Sequence, residues 1–312
     1  MKEGFCVVGS VNMDVITRTP RFPRPGETLT GTSLSFMPGG KGANQAVALA
    51  RLGARVEMVG AIGGDILGGR YGSVLAGEGV GIRGLAILSG ATTGTASIAV
   101  SDTGENEIVI VPGANARVTP EFVRNNAGLI ESAGFLLVQL EIPLDSVLEA
   151  CRLARRAGTR VILDPAPAPT APLPEELYSL VDVITPNETE AALLTGADTA
   201  TEEGIEKAAR TLLSRGVKTV VVKAGARGAY CAEGSSFIRV PGFSVTTVDT
   251  VAAGDSFNAA LAFALSRGDS LTRAIRYANA VGAISTTREG AQSAMPTQAE
   301  LADFLAKPGN VL

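Results

Sequence analysis

The 312-residue chain contains no histidine and no tryptophan. Without imidazole there is no Ser-His-Asp or Cys-His triad, no His-ligated zinc and no histidine base, so proton transfer near neutral pH falls to Asp, Glu, Lys, Cys or Tyr. Cysteine is scarce. Cys6, Cys151 and Cys231 are odd in number, far apart and each set in an apolar stretch, which leaves no disulfide framework and no CxxC metal spacing. Buried thiols in a reducing compartment are the expectation. Long apolar runs are missing too, none approaching the ~18 residues of a spanning helix. The short Phe5-to-Gly9 run is cut off by Asn12 and Asp14, too brief and too early for a signal peptide. A cytoplasmic protein with no membrane partner is expected. Lys and Arg number 27 against 31 Asp and Glu, with no sustained basic run, which argues against nucleic acid and for a small-molecule partner.

What is present describes a compact chain: 46% hydrophobic residues, 19% charged, and 37 glycines against 16 prolines. The length admits one large α/β domain or a large and a small one. Short, continuously apolar runs recur at Phe5–Val8, Val56–Val59, Phe135–Leu140, Val161–Leu163, Val181–Ile184 and Thr219–Val222; continuous rather than alternating apolarity marks strands buried on both faces. Helical spacing fills Ala43–Leu52, Ser146–Ala157, Glu202–Arg215, Asp255–Ser266 and Leu271–Thr286. This alternation predicts a mainly parallel sheet between two helical layers, with ligands at the carboxyl ends of its strands. Segments 13–35 and 92–111 break the rhythm, reading as strands without helices, with a hairpin turn at Asp102–Asn106. They form either a small lid sheet or an edge extension of the main one. Pro165–Pro174 reads as a rigid loop after a strand.

Three constellations can carry chemistry. Pro38-Gly-Gly-Lys-Gly-Ala-Asn-Gln-Ala46 runs glycines straight into a helix. A Walker A loop needs Gly at 35 and Ser or Thr at 42, where Ser35 and Gly42 stand, and the dinucleotide fingerprint fails as well. The remaining choices are a bare backbone that admits a polyhydroxylated ligand beside Lys41 and Asn44, or simply a helix start. Val248-Asp-Thr-Val-Ala-Ala-Gly-Asp255 leads into an apolar helix. Its small residues uncover N–H groups suited to a transferring phosphoryl group, and Asp255 is either a base beside that anion hole or a helix-start carboxylate. Thr185-Pro-Asn187-Glu-Thr-Glu190 follows a strand; Asn187 and Glu190 can reach a magnesium–phosphate complex or form a capping box. Lys223-Ala-Gly-Ala-Arg-Gly228 is a further glycine turn after a strand.

The glycine cluster at 39–46 near the start and Asp249-to-Asp255 near the end resemble the two signatures of the ribokinase-like (PfkB-type) sugar kinases. The likeness extends over Gly9-Ser-Val-Asn-Met-Asp14, Pro25-Gly-Glu27, Gln139-Leu-Glu141, Asp164-Pro-Ala-Pro-Ala168, the 185–190 motif and Arg288-Glu-Gly-Ala-Gln292. It implies a three-layer α/β core of residues 1–12, 36–91 and 112–312, with 13–35 and 92–111 as a β lid and homodimer clasp. By position, Asn12, Asp14, Gly39, Gly40, Lys41, Asn44 and Glu141 would hold sugar hydroxyls, and Asp255 would be the base. Asn187, Lys223, Gly225, Arg227, Gly228, Ala253, Gly254 and Asn279 would border ATP, with Glu190 placing Mg2+ through water. Asp249, the Val251 carbonyl, Ser285, Arg288 and Gly290 would serve a monovalent cation, K+. The implied reaction is ATP-dependent phosphorylation of D-ribose at its 5-hydroxyl; the alternatives are another small sugar or a nucleoside as acceptor, or a non-catalytic sensor. Two departures stand out: Ala294 where serine is frequent in the family, and Asn279 where histidine is common.

Overall fold

The computed structural model describes residues 2–169 and 171–312; Met1 of the expected 1–12 segment and Thr170 of the proline-rich loop lie outside them. The strands are β1 (Phe5–Val8), β2 (Asn12–Thr19), β3 (Ser33–Gly39), β4 (Val56–Gly63), β5 (Gly81–Leu88), β6 (Gly94–Ser101) and β7 (Asn106–Val111). They continue with β8 (Phe135–Val138), β9 (Arg160–Leu163), β10 (Val183–Ile184), β11 (Thr219–Lys223), β12 (Ala229–Glu233) and β13 (Ser236–Val240).

Nine strands form one sheet in the order β13-β12-β11-β10-β9-β8-β1-β4-β5. All neighbours are parallel except the β11-β12-β13 meander. The inner strands β1, β4, β8, β9, β10 and β11 bury both faces, as their largely apolar sequences require, while the edge strands β5 and β13 are mostly exposed or half-buried. Phe5 and Val7 point into a core shared with helices Lys41–Arg51, Ala253–Ser266 and Leu271–Ser285, while Cys6 and Val8 point into a second core under Leu144–Ala157 and Glu202–Ser214. The order turns around between β1 and β8; the loops leaving those two strands carry Ser10, Gln139 and Glu141, and Asn12 opens β2 directly after the first loop. A crevice at such a turning point is where doubly wound sheets take ligands.

The remaining four strands form a separate sheet, β3-β2-β6-β7, so the lid-like segments do not extend an edge of the first. The β6–β7 hairpin turns at the Asp102–Glu105 segment, as its residues suggest. β3 runs on to Gly39, past the boundary expected at residue 35, and so joins this sheet directly to the glycine cluster. Sequence patterning missed several elements: β5, the β12–β13 hairpin and helices Ile66–Gly77, Glu188–Thr195 and Gln298–Leu305. Helix Ile66–Gly77 carries glycines at 68, 69, 72 and 77, which dilute a 3.6-residue apolar period. The predicted strand at 135–140 ends at Val138, and that at 181–184 shrinks to Val183–Ile184. Among the described residues no helix is long and apolar enough to cross a membrane.

Candidate active site

At the crevice, β3 delivers Gly40 with φ 86° as the residue before helix Lys41–Arg51. A side chain at 40 would strain the backbone and bring its Cβ to 2.6 Å from the Asn12 amide nitrogen. Gly42 is equally constrained, since a Cβ there would lie 2.7 Å from the Ser10 nitrogen. Helix and β1 loop therefore touch backbone to backbone. Glu141 joins them: its Oε2 accepts from Ser10 Oγ at 2.5 Å and from the Lys41 amide at 3.0 Å. Asn12 is held by Asn115, whose Nδ2 donates to Asn12 Oδ1 at 2.7 Å while its Oδ1 accepts from the Val11 amide at 2.9 Å. Asp14 projects from β2 so close to Gly39 that a side chain at 39 would overlap its carboxylate. Burial, then the neighbouring carboxylates Glu141 and Asp255, push the Asp14 carboxyl up to about 7. Partly protonated near neutrality, it can both donate to and accept from a hydroxyl. Burial works against the Lys41 ammonium, but Asp255, Asp164, Glu141 and Glu190 together hold its pKa above the ordinary range.

Asp255 lies in the first turn of helix Ala253–Ser266 and is 4% exposed. Asn44 Nδ2 donates to its Oδ2 at 3.0 Å and Gln45 Nε2 to its Oδ1 at 3.1 Å. Burial raises this carboxyl to about 6 against the pull of Lys41, with Asp164 adding to the rise and the two amides opposing it. It is therefore mainly ionised at pH 7 yet a better proton acceptor than a solvated aspartate. Ala252, just ahead of the helix, adopts φ 57°, a left-handed conformation costing a non-glycine residue about 1 kcal/mol. Past it, the Ala253 amide donates to the Thr250 carbonyl at 3.3 Å, while the amides of Gly254 and Asp255 remain for an anion at the positive end of the helix.

On the far side of these amides lies a cavity of about 560 Å³. Lys223, Gly225, Gly228, Ala253, Gly254 and Asn279 line it with Phe243 and Phe257, a mixed apolar and polar wall sized for a nucleotide. The Lys223 ammonium bonds Asp164 Oδ1 at 2.8 Å and would lie 3.5 Å from a Cβ at Gly254, beside the anion hole. Asn279 gives its Nδ2 to the carbonyls of Val240 and Pro241, each at 3.1 Å. Asn187 bridges to Lys223 across the sheet and caps helix Glu188–Thr195. The capping-box geometry is present, both Glu190 oxygens accepting from Asn187 at 2.8 and 2.9 Å. Arg227 stands outside the cavity lining, paired with Glu188.

The polar cluster of Asn12, Asp14, Lys41 and Glu141, the buried Asp255 carboxylate, the head of helix Ala253–Ser266 and the cavity of about 560 Å³ thus follow one another, linked by Asn44 and Gln45 on one side and Gly254 on the other. The chain matches the pfkB family of carbohydrate kinases over residues 2–298. It belongs to that family. It is 43% identical over 305 residues to the ribokinase of Haemophilus influenzae, covering 98% of this chain and 99% of that one. Against the ribokinase of Bacillus subtilis the identity is 40% over 304 residues, covering 97% and 100%. The solved structure of Arabidopsis thaliana ribokinase complexed with ribose and ATP superposes with a TM-score of 0.94 at 34% identity, covering 98% of this chain and all of that one.

In this pfkB-family kinase, the segments that the resemblance links to a monovalent cation converge. Asp249 Oδ1 accepts from the Val251 amide at 3.0 Å and its Oδ2 from the Gly290 amide at 2.9 Å, clasping two loops. Ser285 turns its hydroxyl to the Gly282 carbonyl at 2.8 Å, and Arg288 pairs with Glu300 at 2.7 Å, so neither side chain is spent on that clasp. Ala294 is fully buried and Ser293 Oγ bonds the Glu289 carbonyl at 3.2 Å. Among the described residues no group of three or more His, Cys, Asp or Glu could hold a metal. Residue-by-residue reading of chemistry missed Asn115, Tyr71, Gln45 and Gln292. Gln292 Nε2 donates to Tyr71 Oη at 2.7 Å and to Asn44 Oδ1 at 3.2 Å, bracing Asn44 from behind. Their only sequence signal is membership of the quoted motifs, for Gln45 and Gln292, and none for Tyr71 or Asn115.

Proposed function

We propose that this protein phosphorylates D-ribose at its 5-hydroxyl with ATP, giving ribose 5-phosphate and ADP. The observation that carries the reading is the Asp255 carboxylate, buried between the hydroxyl-binding residues and the free amides at the head of its own helix. The ribose and ATP named for the Arabidopsis complex support these two substrates. Asn12, Asp14, Lys41, Asn44 and Glu141 orient the sugar through its hydroxyls, and Gly39 and Gly40 let it approach the backbone. Asp255 accepts the proton of the terminal hydroxyl as that oxygen bonds to the γ-phosphorus and the bond to the ADP oxygen breaks. The Gly254 and Asp255 amides and the Lys223 ammonium neutralise charge on the transferring group. Alignment supplies much of the remainder.

Magnesium, when bound, neutralises the phosphates; Glu190 and Asn187 fit a water-mediated contact, a single buried carboxylate being what an ion carried on ATP needs from the protein. A potassium ion would take oxygen ligands in the region clasped by Asp249, chiefly backbone carbonyls such as that of Val251, and would stiffen the anion hole. The β3-β2-β6-β7 sheet serves as lid and homodimer clasp: β7 exposes all six residues, Leu34 and Phe36 are exposed, and a single-layer sheet needs a cover. Three buried, unpaired thiols fit a reducing cytoplasm.

The test is ADP release across ribose, deoxyribose, fructose and adenosine, each with and without potassium. Ribose with potassium should be fastest; equal or faster turnover with another acceptor would replace ribose, and no turnover with any would favour a sensor.

A further inference from the structure

Gln45 follows Asn44, a proposed sugar contact, on helix Lys41–Arg51; it is only 1% exposed, and both ends of its amide are taken by protein groups. Its Nε2 lies 3.1 Å from Asp255 Oδ1 and 3.2 Å from Asp164 Oδ2. Ionised carboxylates only accept, so two of them on one amide fix which end of Gln45 faces them. Its oxygen then faces away and accepts from Gln139 Nε2 at 2.8 Å, from a side chain that is itself fully buried. Asp164 carries the chain onward to the Lys223 ammonium at 2.8 Å, beside the anion hole. Side chains from four separate segments thereby make one continuous polar path from the sheet's interior to the phosphate end.

We infer that Gln45 is a positioning residue for phosphoryl transfer: its amide, oriented by Gln139, fixes the rotation of the Asp255 carboxylate and couples it to the Asp164–Lys223 pair. The inference rests on Asp255 being the base of the proposed reaction. One donor on each oxygen, Gln45 on Oδ1 and Asn44 on Oδ2, sets the plane of the carboxylate and leaves each oxygen one lone pair. Asn44 is shared with the sugar site and braced by Gln292, whereas the Gln45 Nε2 is committed to the two carboxylates and its oxygen to Gln139. The charged and titratable groups around Asp255 are Lys41 on the same helix as Gln45, Asp14 on β2, Glu141 after β8, Asp164 after β9, Lys223 at the end of β11 and Tyr71 on helix Ile66–Gly77.

Gln45→Met keeps the length and removes both donors. With ribose and ATP, kcat should fall roughly tenfold or more, as for other buried partners of reacting groups, with KM for ribose within about twofold. The acidic limb of kcat should move up by about half a unit or more, because a donor to the ionised form is lost. Asp164→Asn removes a negative neighbour and should move the limb the other way. Carbon-13 NMR titration of the Asp255 carboxyl in the free protein, assigned with Asp255→Asn, reads the same two opposite displacements without turnover. Should Gln45→Met not fold, Gln139→Met, which strips Gln45 of its orienting donor, should give the same upward displacement. Absence of ADP release by the unaltered protein with ribose would overturn the ribose reading. An active enzyme whose limb and NMR midpoint stay put in the folded glutamine variant would overturn the role of Gln45.

Discussion

The two sheets divide the work of this molecule by how much of themselves they bury. β1 and β8 are buried along their whole length between two helical layers, and the residues that follow them reach the crevice from a fixed base. β7 is exposed at every position, including Ile108, Val109, Ile110 and Val111. The crevice end of the smaller sheet is pinned where Asn12 meets Gly39 across the β2–β3 ladder and Asn115 anchors Asn12. The difference teaches that Glu141 and Asp164 follow strands fixed on both faces, whereas Asn12 and Asp14 reach the site from a sheet that can shift without breaking a core, which in the proposed reaction would govern substrate access.

The sharpest way to break this contrast is at the base. Asp255→Asn should lower kcat about 10²–10⁴-fold while leaving KM for ribose within a few-fold, measured by ADP release; near-normal turnover would remove the chemistry from the large sheet. Next in size is a core truncation: Leu137→Ala on β8 should destabilise by about 2–5 kcal/mol in urea unfolding, since Leu137 is fully buried. The matching change in the small sheet, Ile110→Ser, should alter stability by under about 0.5 kcal/mol but shift sedimentation toward monomer and raise KM for ribose. Equal destabilisation by the two would erase the distinction.

A smaller effect should appear with pH. Asp255 and Asp14 have carboxyls raised to about 6 and about 7, both mainly by burial. Activity should therefore fall as pH drops through that range, because protonated Asp255 cannot accept the hydroxyl proton. Stability runs the other way: the folded state holds protons that the unfolded chain has released, so the cost of these groups is absent below about pH 4, grows through the window and is complete above pH 7. Asp14→Asn should accordingly raise the melting temperature at pH 8 by about 2 °C and weaken ribose binding, read by calorimetry and by KM; no gain at pH 8 would mean the carboxylate is better compensated than its neighbours imply.

Legibility followed the range of the interaction. Phe5–Val8 was readable because burial on both faces leaves a mark in four consecutive residues; the place of Asp255 in the first turn of a helix was readable from its run of small residues, but those residues alone left a base and a helix-start carboxylate both open. Helix Ile66–Gly77 escaped because its glycines hide its period, and Ala229–Glu233 because a short mixed strand resembles a loop. The supports of the site were harder still. Gln45 reaches an aspartate 210 positions away and Gln292 a tyrosine 221 positions away, contacts that exist only once the sheet order is known. Nor could spacing decide whether Glu190 was a cap or a metal contact, because a capping box satisfies both patterns.

The left-handed turn at Ala252 has one more implication. A glycine there would roam among many shapes; a methyl group closes most of them off, so the receptive pocket of amides stands ready before any nucleotide arrives. In the proposed reaction, recognition of the incoming anion would begin from a mould already set, the freedom that ordering costs being surrendered while the chain folds instead of during each turnover.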